Sequence, residues 1–135
     1  MLHTLTIQEA RKGLDNRTFS SVELTQACLG RITERNDEIN AFITVTKELA
    51  LEEAKYADGQ IAKGKATQLT GIPFGVKDAI CVKGIRSTGG ATILDNYIPP
   101  HEATVITKIR QQGAVLLGKQ NCDSFGHGAS NENSM

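Results

Sequence analysis

The chain has no excess of charge: its 135 residues hold fifteen Lys and Arg against fifteen Asp and Glu. Nothing in that balance offers a polyanion or an anionic bilayer a direct electrostatic partner. Cysteine is scarce. Cys28, Cys81 and Cys122 make an odd number, lie far apart and form no C-x-x-C pair. This argues against a disulfide framework or a zinc site and for a reducing compartment. Long apolar runs are missing too, since Ala114-Val115-Leu116-Leu117 is much too short to cross a bilayer. Met1-Leu2-His3-Thr4 opens without the basic and apolar stretches of a signal peptide. Internal repeats and low-complexity tracts are likewise lacking. The expectation is a cytoplasmic chain of about one domain, with no membrane partner and no metal. An apolar fraction of 39% is a little low for a globular chain but enough to bury a core.

What is present reads as helices alternating with short strands. Thr6 to Ala10 begins a short helix that Gly13 and Asn16 weaken and end. Ser20-Ser21-Val22-Glu23 is a capping box, followed by Val22, Leu24, Ala27, Cys28 and Ile32 in a one-sided helical stripe. Ala41–Val45 is short and β-branched, so it reads as a strand. Lys47 to about Lys63 reads as a helix with Ala50, Ala54, Ala57 and Ile61 on one side. A loop from Gly64 to Thr70 leads into a strand over Gly71–Ile80. Ser87-Thr88-Gly89-Gly90 reads as a flexible polar loop, and Pro99-Pro100 bars a helix there. Thr104 to Gln112 reads as a helix with Val105, Ile106 and Ile109 inward, stopped by Gly113. Val115–Lys119 has the continuous apolar character of a strand covered on both faces. The order is that of an α/β fold.

Lys77 is the sharpest chemical candidate. Alternation along Gly71–Ile80 sets Phe74, Val76, Asp78 and Ile80 on one face and Gly75, Lys77 and Ala79 on the other. Only a glycine and an alanine then flank the amine, which leaves it room. A lysine in a desolvated, apolar pocket is held neutral and can act as a general base. The other reading is a structural lysine paired with Asp78 or another carboxylate. The pattern alone leaves both open. Ser87–Gly90 lacks the order of a phosphate-binding loop. Cys122 and His127 raise a thiol hydrolase, but their spacing fits no local signature. His3 and His101 read as solvated. The loop Asn121–Ser134 follows a strand's carboxyl end, where α/β folds bind ligands, or is plain surface. The chain stops in loop-like sequence, at Asn131–Met135, and so reads as a piece of something longer.

Four ordered segments together resemble one family, the amidase signature enzymes. Gly71-Ile72-Pro73-Phe74-Gly75-Val76-Lys77-Asp78 resembles the family's lysine-bearing strand. Pro99-Pro100-His101-Glu102-Ala103-Thr104-Val105 is similar to its PP-x-x-ATV segment, and Gly113–Asn121 to its GA-x-x-x-GK-x-N strand. Phe125–Ser134 is similar to the loop that follows. The helix over Leu24–Asn40 running into Ala41–Val45 looks like the amino-terminal region of the glutaminase subunit of the aspartyl/glutamyl-tRNA amidotransferases.

The resemblance implies an amidase-signature α/β fold, a mixed sheet covered by helices and incomplete in this chain. Residues 1–66 would be a helical amino-terminal region, and 67–135 the start of the catalytic core. It implies a neutral lysine, Lys77, as general base toward a serine in a cis peptide. That serine relays the proton from a second, nucleophilic serine, which attacks the amide of glutamine. Ammonia leaves the tetrahedral intermediate, whose oxyanion backbone amides hold. Gly128 and Ser130 would line the pocket. The ammonia would serve tRNA-dependent amidation of Glu-tRNA(Gln) or Asp-tRNA(Asn) in a heterotrimeric complex. The glutaminase part would use no cofactor; ATP and Mg would be used by a partner subunit on the charged tRNA. The family's glycine- and serine-rich segment, which supplies the relay serine, and the nucleophile segment beyond it are expected after this chain. None of Ser87, Ser124, Ser130 or Ser134 lies in such a segment. The chain alone is therefore expected to be inactive. The alternatives are a stand-alone amidase acting on another carboxamide and a truncated, non-catalytic product.

Overall fold

Two capping boxes fix where the first long helices begin. The Thr6 hydroxyl accepts from the Glu9 N–H at 3.2 Å, and the Glu9 carboxylate accepts from the Thr6 N–H at 2.8 Å. Ser20 and Glu23 repeat the exchange at 3.1 and 2.7 Å. Each exchange satisfies amide donors that a helix start leaves without partners. Both glutamates titrate below the ordinary carboxylate range, chiefly because the cap's backbone N–H bonds the charged form.

The computed structural model describes residues 1–134. In chain order it contains α1 (Ile7–Asp15), α2 (Ser21–Ile39), β1 (Phe42–Val45), α3 (Lys47–Ala62), β2 (Pro73–Lys77), α4 (Thr104–Gln111) and β3 (Val115–Gln120). Single 3-10 turns sit at Leu2–Thr4, Thr92–Leu94 and Ser124–Gly126. The strands form a mixed sheet in the order β1-β3-β2, with β1 antiparallel and β2 parallel to the central β3. Residues 1–66 thus supply one edge strand and residues 67–135 the other two.

β3 is covered on both sides, as its apolar run implies. Val115 and Leu117 pack with Leu29 of α2 and with Ala50 and Ala54 of α3. Leu116 packs instead with Val76, Val82 and Ile106. The alanines let α3 approach the sheet closely. Each fully buried leucine or valine stabilises the fold by about 1.5–3 kcal/mol relative to an exposed one. A third cluster, Ala10, Leu14, Leu24 and Ile72, docks α1 against α2 and the start of β2. At Gly118 a Cβ would collide with the Thr44 carbonyl oxygen, so this glycine is what lets β1 lie against β3.

The structure corrects the sequence reading of several elements. The lysine-bearing strand runs over Pro73–Lys77 rather than Gly71–Ile80: Gly71 has φ +81°, and after Lys77 the chain turns, the Ile80 N–H donating to the Lys77 carbonyl at 2.9 Å. In α4 only Ile106 is buried, at 2% exposure, while Val105 stands 51% exposed. Thr25 and Leu29, absent from the expected α2 stripe, are buried. Ser87–Gly90 is not a flexible loop: all four residues are buried.

Candidate functional site

Lys77 is the last residue of β2, opposite Gln120 of β3. Its side chain is exposed, so the described residues do not supply the desolvation expected from sequence. The expected clearance is also arranged differently. A Cβ on Gly75 would meet the Gln120 side chain at 2.6 Å, so that space holds the glutamine. Room for the amine comes from Gly126, where a Cβ would sit 3.3 Å from Lys77 Nζ and φ is +75°. Among the described residues Lys77 has no ion pair. The reading that joined it to Asp78 fails, because Asp78 has another partner.

That partner is Lys119, which sequence reasoning passed over as part of a buried strand. Lys119 and Asp78 are both fully buried, with Nζ 3.3 Å from Asp78 Oδ1. The ammonium also donates to Ser87 Oγ at 2.5 Å and to the Asp78 carbonyl at 3.4 Å. Burial pulls the Lys119 pKa below its ordinary value, opposed by the charge and hydrogen bonding of Asp78. The other carboxylate oxygen of Asp78 accepts from the Thr88 N–H at 2.7 Å and from the Thr88 hydroxyl at 2.5 Å. These bonds explain why a Ser-Thr-Gly-Gly stretch is buried. A signal was present in the sequence: a lysine closing a run read as covered on both faces needs a buried acid.

Ser87 and Lys119 are in contact, yet they do not form a nucleophile and base. The Ser87 hydroxyl donates to the Ile85 carbonyl at 3.1 Å, and both groups are shut away from solvent. Cys122 is buried and His127 exposed, with no hydrogen bond between them among the described residues. The described residues contain no cluster of His, Cys, Asp and Glu able to hold a metal. No described helix is long and apolar enough to cross a membrane.

The loop after β3 is tied to itself. Asp123 and Asn131 exchange bonds, each backbone N–H donating to the other's side-chain oxygen, at 3.0 and 3.1 Å. The Ser124 N–H donates to Asn133 Oδ1 at 3.1 Å. Gly128 packs against the Asp123 carboxylate, with φ +149° and a Cβ position only 2.5 Å from Cγ. Ser130 is exposed and donates to Glu132 at 2.8 Å. With Gln120, Asn121 and Asn131 it lines an open cleft of about 720 Å³. Gln120 reaches both that cleft and the flank of Lys77, while Gly128 braces Asp123 outside the cleft lining.

The sequence model of the Amidase family matches residues 23–135. The chain belongs to the amidase family. Among curated relatives of this amidase chain, a Glutamyl-tRNA(Gln) amidotransferase subunit of Coxiella burnetii is 50% identical over 133 residues, or 98% of the chain. The subunit of the same name from Vesicomyosocius okutanii is 53% identical over 134 residues, or 99% of the chain. The chain spans 28% of the length of each. Among solved structures, the native peptide amidase of Stenotrophomonas maltophilia superposes with a TM-score of 0.85 at 28% identity. That match covers 90% of the chain and 26% of the peptide amidase. A vestigial complex described as revealing the origins of an s-triazine catabolic enzyme superposes at 0.90 and 29% identity. There the match covers 96% of the chain and 29% of the other. The fold is the amidase-signature fold that the motifs implied, present in part.

Proposed function

We propose that the chain carries the base of an amide-hydrolysing centre that releases ammonia from glutamine, with Lys77 as that base. The ammonia serves tRNA-dependent amidation of Glu-tRNA(Gln) or Asp-tRNA(Asn). Partner subunits complete a heterotrimer in which ATP and Mg activate the aminoacyl-tRNA, and this chain uses no cofactor. The reading assigns the complex to the cytoplasm. Residues 1–66 and 67–135 are two parts of one amidase-signature domain, a view supported by the pairing of β1 with β3.

The observation that carries the reading is the Lys77 amine itself. It ends a strand, stands free of any carboxylate among the described residues, and has a glycine beneath it. An unpaired amine can lose its proton once a covering segment removes water, whereas one paired with an acid is held charged. The serines of the chain support a division of labour. Ser87 is buried, and Ser130 turns to Glu132. On this reading the nucleophile and its relay serine belong to a segment outside these residues. Gly128 and Ser130 keep the role of shaping the pocket wall, Gly128 through Asp123.

Expected is no ammonia release from glutamine by the 135-residue chain alone. A full-length hybrid supplies the rest: the chain replaces the matching 28% of the Coxiella burnetii protein, which is then assembled with that organism's partner subunits. Glutamine hydrolysis by the hybrid that Lys77→Ala lowers by about 10²–10⁴-fold supports the reading. Turnover by the chain alone, or a fully active Lys77→Ala hybrid, contradicts it. The structural likeness to a peptide amidase keeps one other reading in view, a stand-alone amidase for a different carboxamide. That enzyme would work without partner subunits or charged tRNA.

A further inference from the structure

We propose that Lys119 is a positioning residue for Lys77, acting through Asp78 and the Ser87–Gly90 segment on the turn beneath the Lys77 amine. The inference rests on the reading of Lys77 as the base.

The residue that follows Lys77 is held through both backbone groups and one carboxylate oxygen, while the other, Oδ1, has the Lys119 charge but no hydrogen bond. The Asp78 N–H donates to the Gln120 carbonyl at 2.8 Å, and its own carbonyl accepts from Lys119 at 3.4 Å. One carboxylate oxygen faces the Lys119 ammonium at 3.3 Å, and the other takes both Thr88 donors. The direction in which β2 delivers Lys77 is therefore set from β3. A second line runs back to the amine from below. Thr88 Oγ1 accepts from the Gly90 N–H at 3.1 Å, and the Gly89 carbonyl accepts from the Phe125 N–H at 2.7 Å. Gly90 abuts the Cys122 carbonyl so closely that a Cβ would collide with it. The next residue after Phe125 is Gly126, which lies under Lys77 Nζ. A buried ion pair adds little to stability over apolar residues of equal volume, because desolvation offsets the attraction. This pair instead ties β2, β3, the Ser87–Gly90 segment and, through it, the Ser124–Gly126 turn around one amine.

The test uses the full-length hybrid. Expected in Lys119→Met is a kcat lowered by about 10–100-fold with KM within about twofold, as a displaced catalytic group produces. Thr88 gives a milder pair of variants. Thr88→Ser keeps the hydroxyl and should keep kcat, while Thr88→Val should lose it in the same way as Lys119→Met. Hydrogen exchange in the hybrid should quicken at the Phe125 and Gly126 amides in Lys119→Met and Thr88→Val, with α2 unchanged. Activity lost in Lys77→Ala but unchanged in Lys119→Met and Thr88→Val would overturn this inference alone. Activity that survives Lys77→Ala would overturn the reading of the base and this inference with it.

Discussion

Lys77 and Lys119 stand near the carboxyl ends of neighbouring parallel strands, and their surroundings are opposite. Lys77 is exposed and, among the described residues, free of acids; Lys119 is sealed inside with Asp78, Ser87 and Thr88. Asp78 follows Lys77 directly, yet it pairs with a residue of another strand. Successive residues of an extended chain point to opposite sides, so the neighbour in sequence is the acid that Lys77 is worst placed to reach. The acid instead neutralises the buried amine and leaves the exposed one unpaired. Geometry thereby separates an amine left free from one committed to an ion pair, which is the distinction the proposed roles rest on.

The same substitution at both positions should break the comparison most strongly. Lys119→Met leaves the Asp78 carboxylate buried without its cation and should cost about 3–5 kcal/mol. Lys77→Met removes an exposed group and should stay within about 0.5 kcal/mol. Urea unfolding followed by circular dichroism reads both; equal losses would merge the two roles. A loss of the larger size approaches the whole stability of a small domain.

Two glycines sharpen the contrast next. Gly126 and Gly84 both have φ +75°, but only Gly126 has an amine over it, Gly84 facing open space. Alanine at either should cost about 1–2 kcal/mol of backbone strain. Only Gly126→Ala should also lower glutamine turnover of the hybrid, by about tenfold, because it displaces the Lys77 amine. A parallel loss of turnover in Gly84→Ala would trace the effect to stability rather than to position.

The caps of the amino-terminal helices provide a remote control. Ser20→Ala should cost about 1 kcal/mol and leave turnover untouched. Glu23 has a folded pKa below its ordinary value of 4.5, so its contribution is present above that value and is lost as pH falls through the folded one. Expected is a fall in melting temperature on the acid side that Glu23→Gln makes shallower. An unchanged acid slope in Glu23→Gln would show that the cap carries no such linkage.

Association gives the smallest contrast. β2 and β1 each have one edge with no strand beside it among the described residues. Ile93 and Ile98, in the segment leading from the buried loop to α4, and Val105 in the first turn of α4 are exposed apolar residues. Unpaired edges and apolar patches favour self-association. The chain alone should melt at a temperature that depends on its concentration, and a concentration-independent, sharply cooperative melt would count against this.

Much of the fold could be read in the residues because its causes are local. Ser20 and Glu23 are three apart, the buried alanines of α3 keep helical spacing, and β3 is apolar without a break. The candidate site was less legible because its causes are not local. Asp78 and Lys119 are 41 residues apart in sequence, and only the β2–β3 pairing brings them together. Ser87–Gly90 has the composition of a flexible loop, and its burial follows from an acid that accepts its donors. Gly75 looked like empty space beside Lys77, but Gln120 fills it. Lys77 itself could be singled out from alternation, but its exposure could not, since it depends on what covers the end of β2.

The most direct test of the division between the two lysines is ammonia release from glutamine by the hybrid carrying Lys77→Met, measured beside its unfolding curve. Expected is turnover lost by about 10²–10⁴-fold with stability within about 0.5 kcal/mol of the parent. Turnover retained at the parent's rate would contradict the assignment of Lys77 as the base.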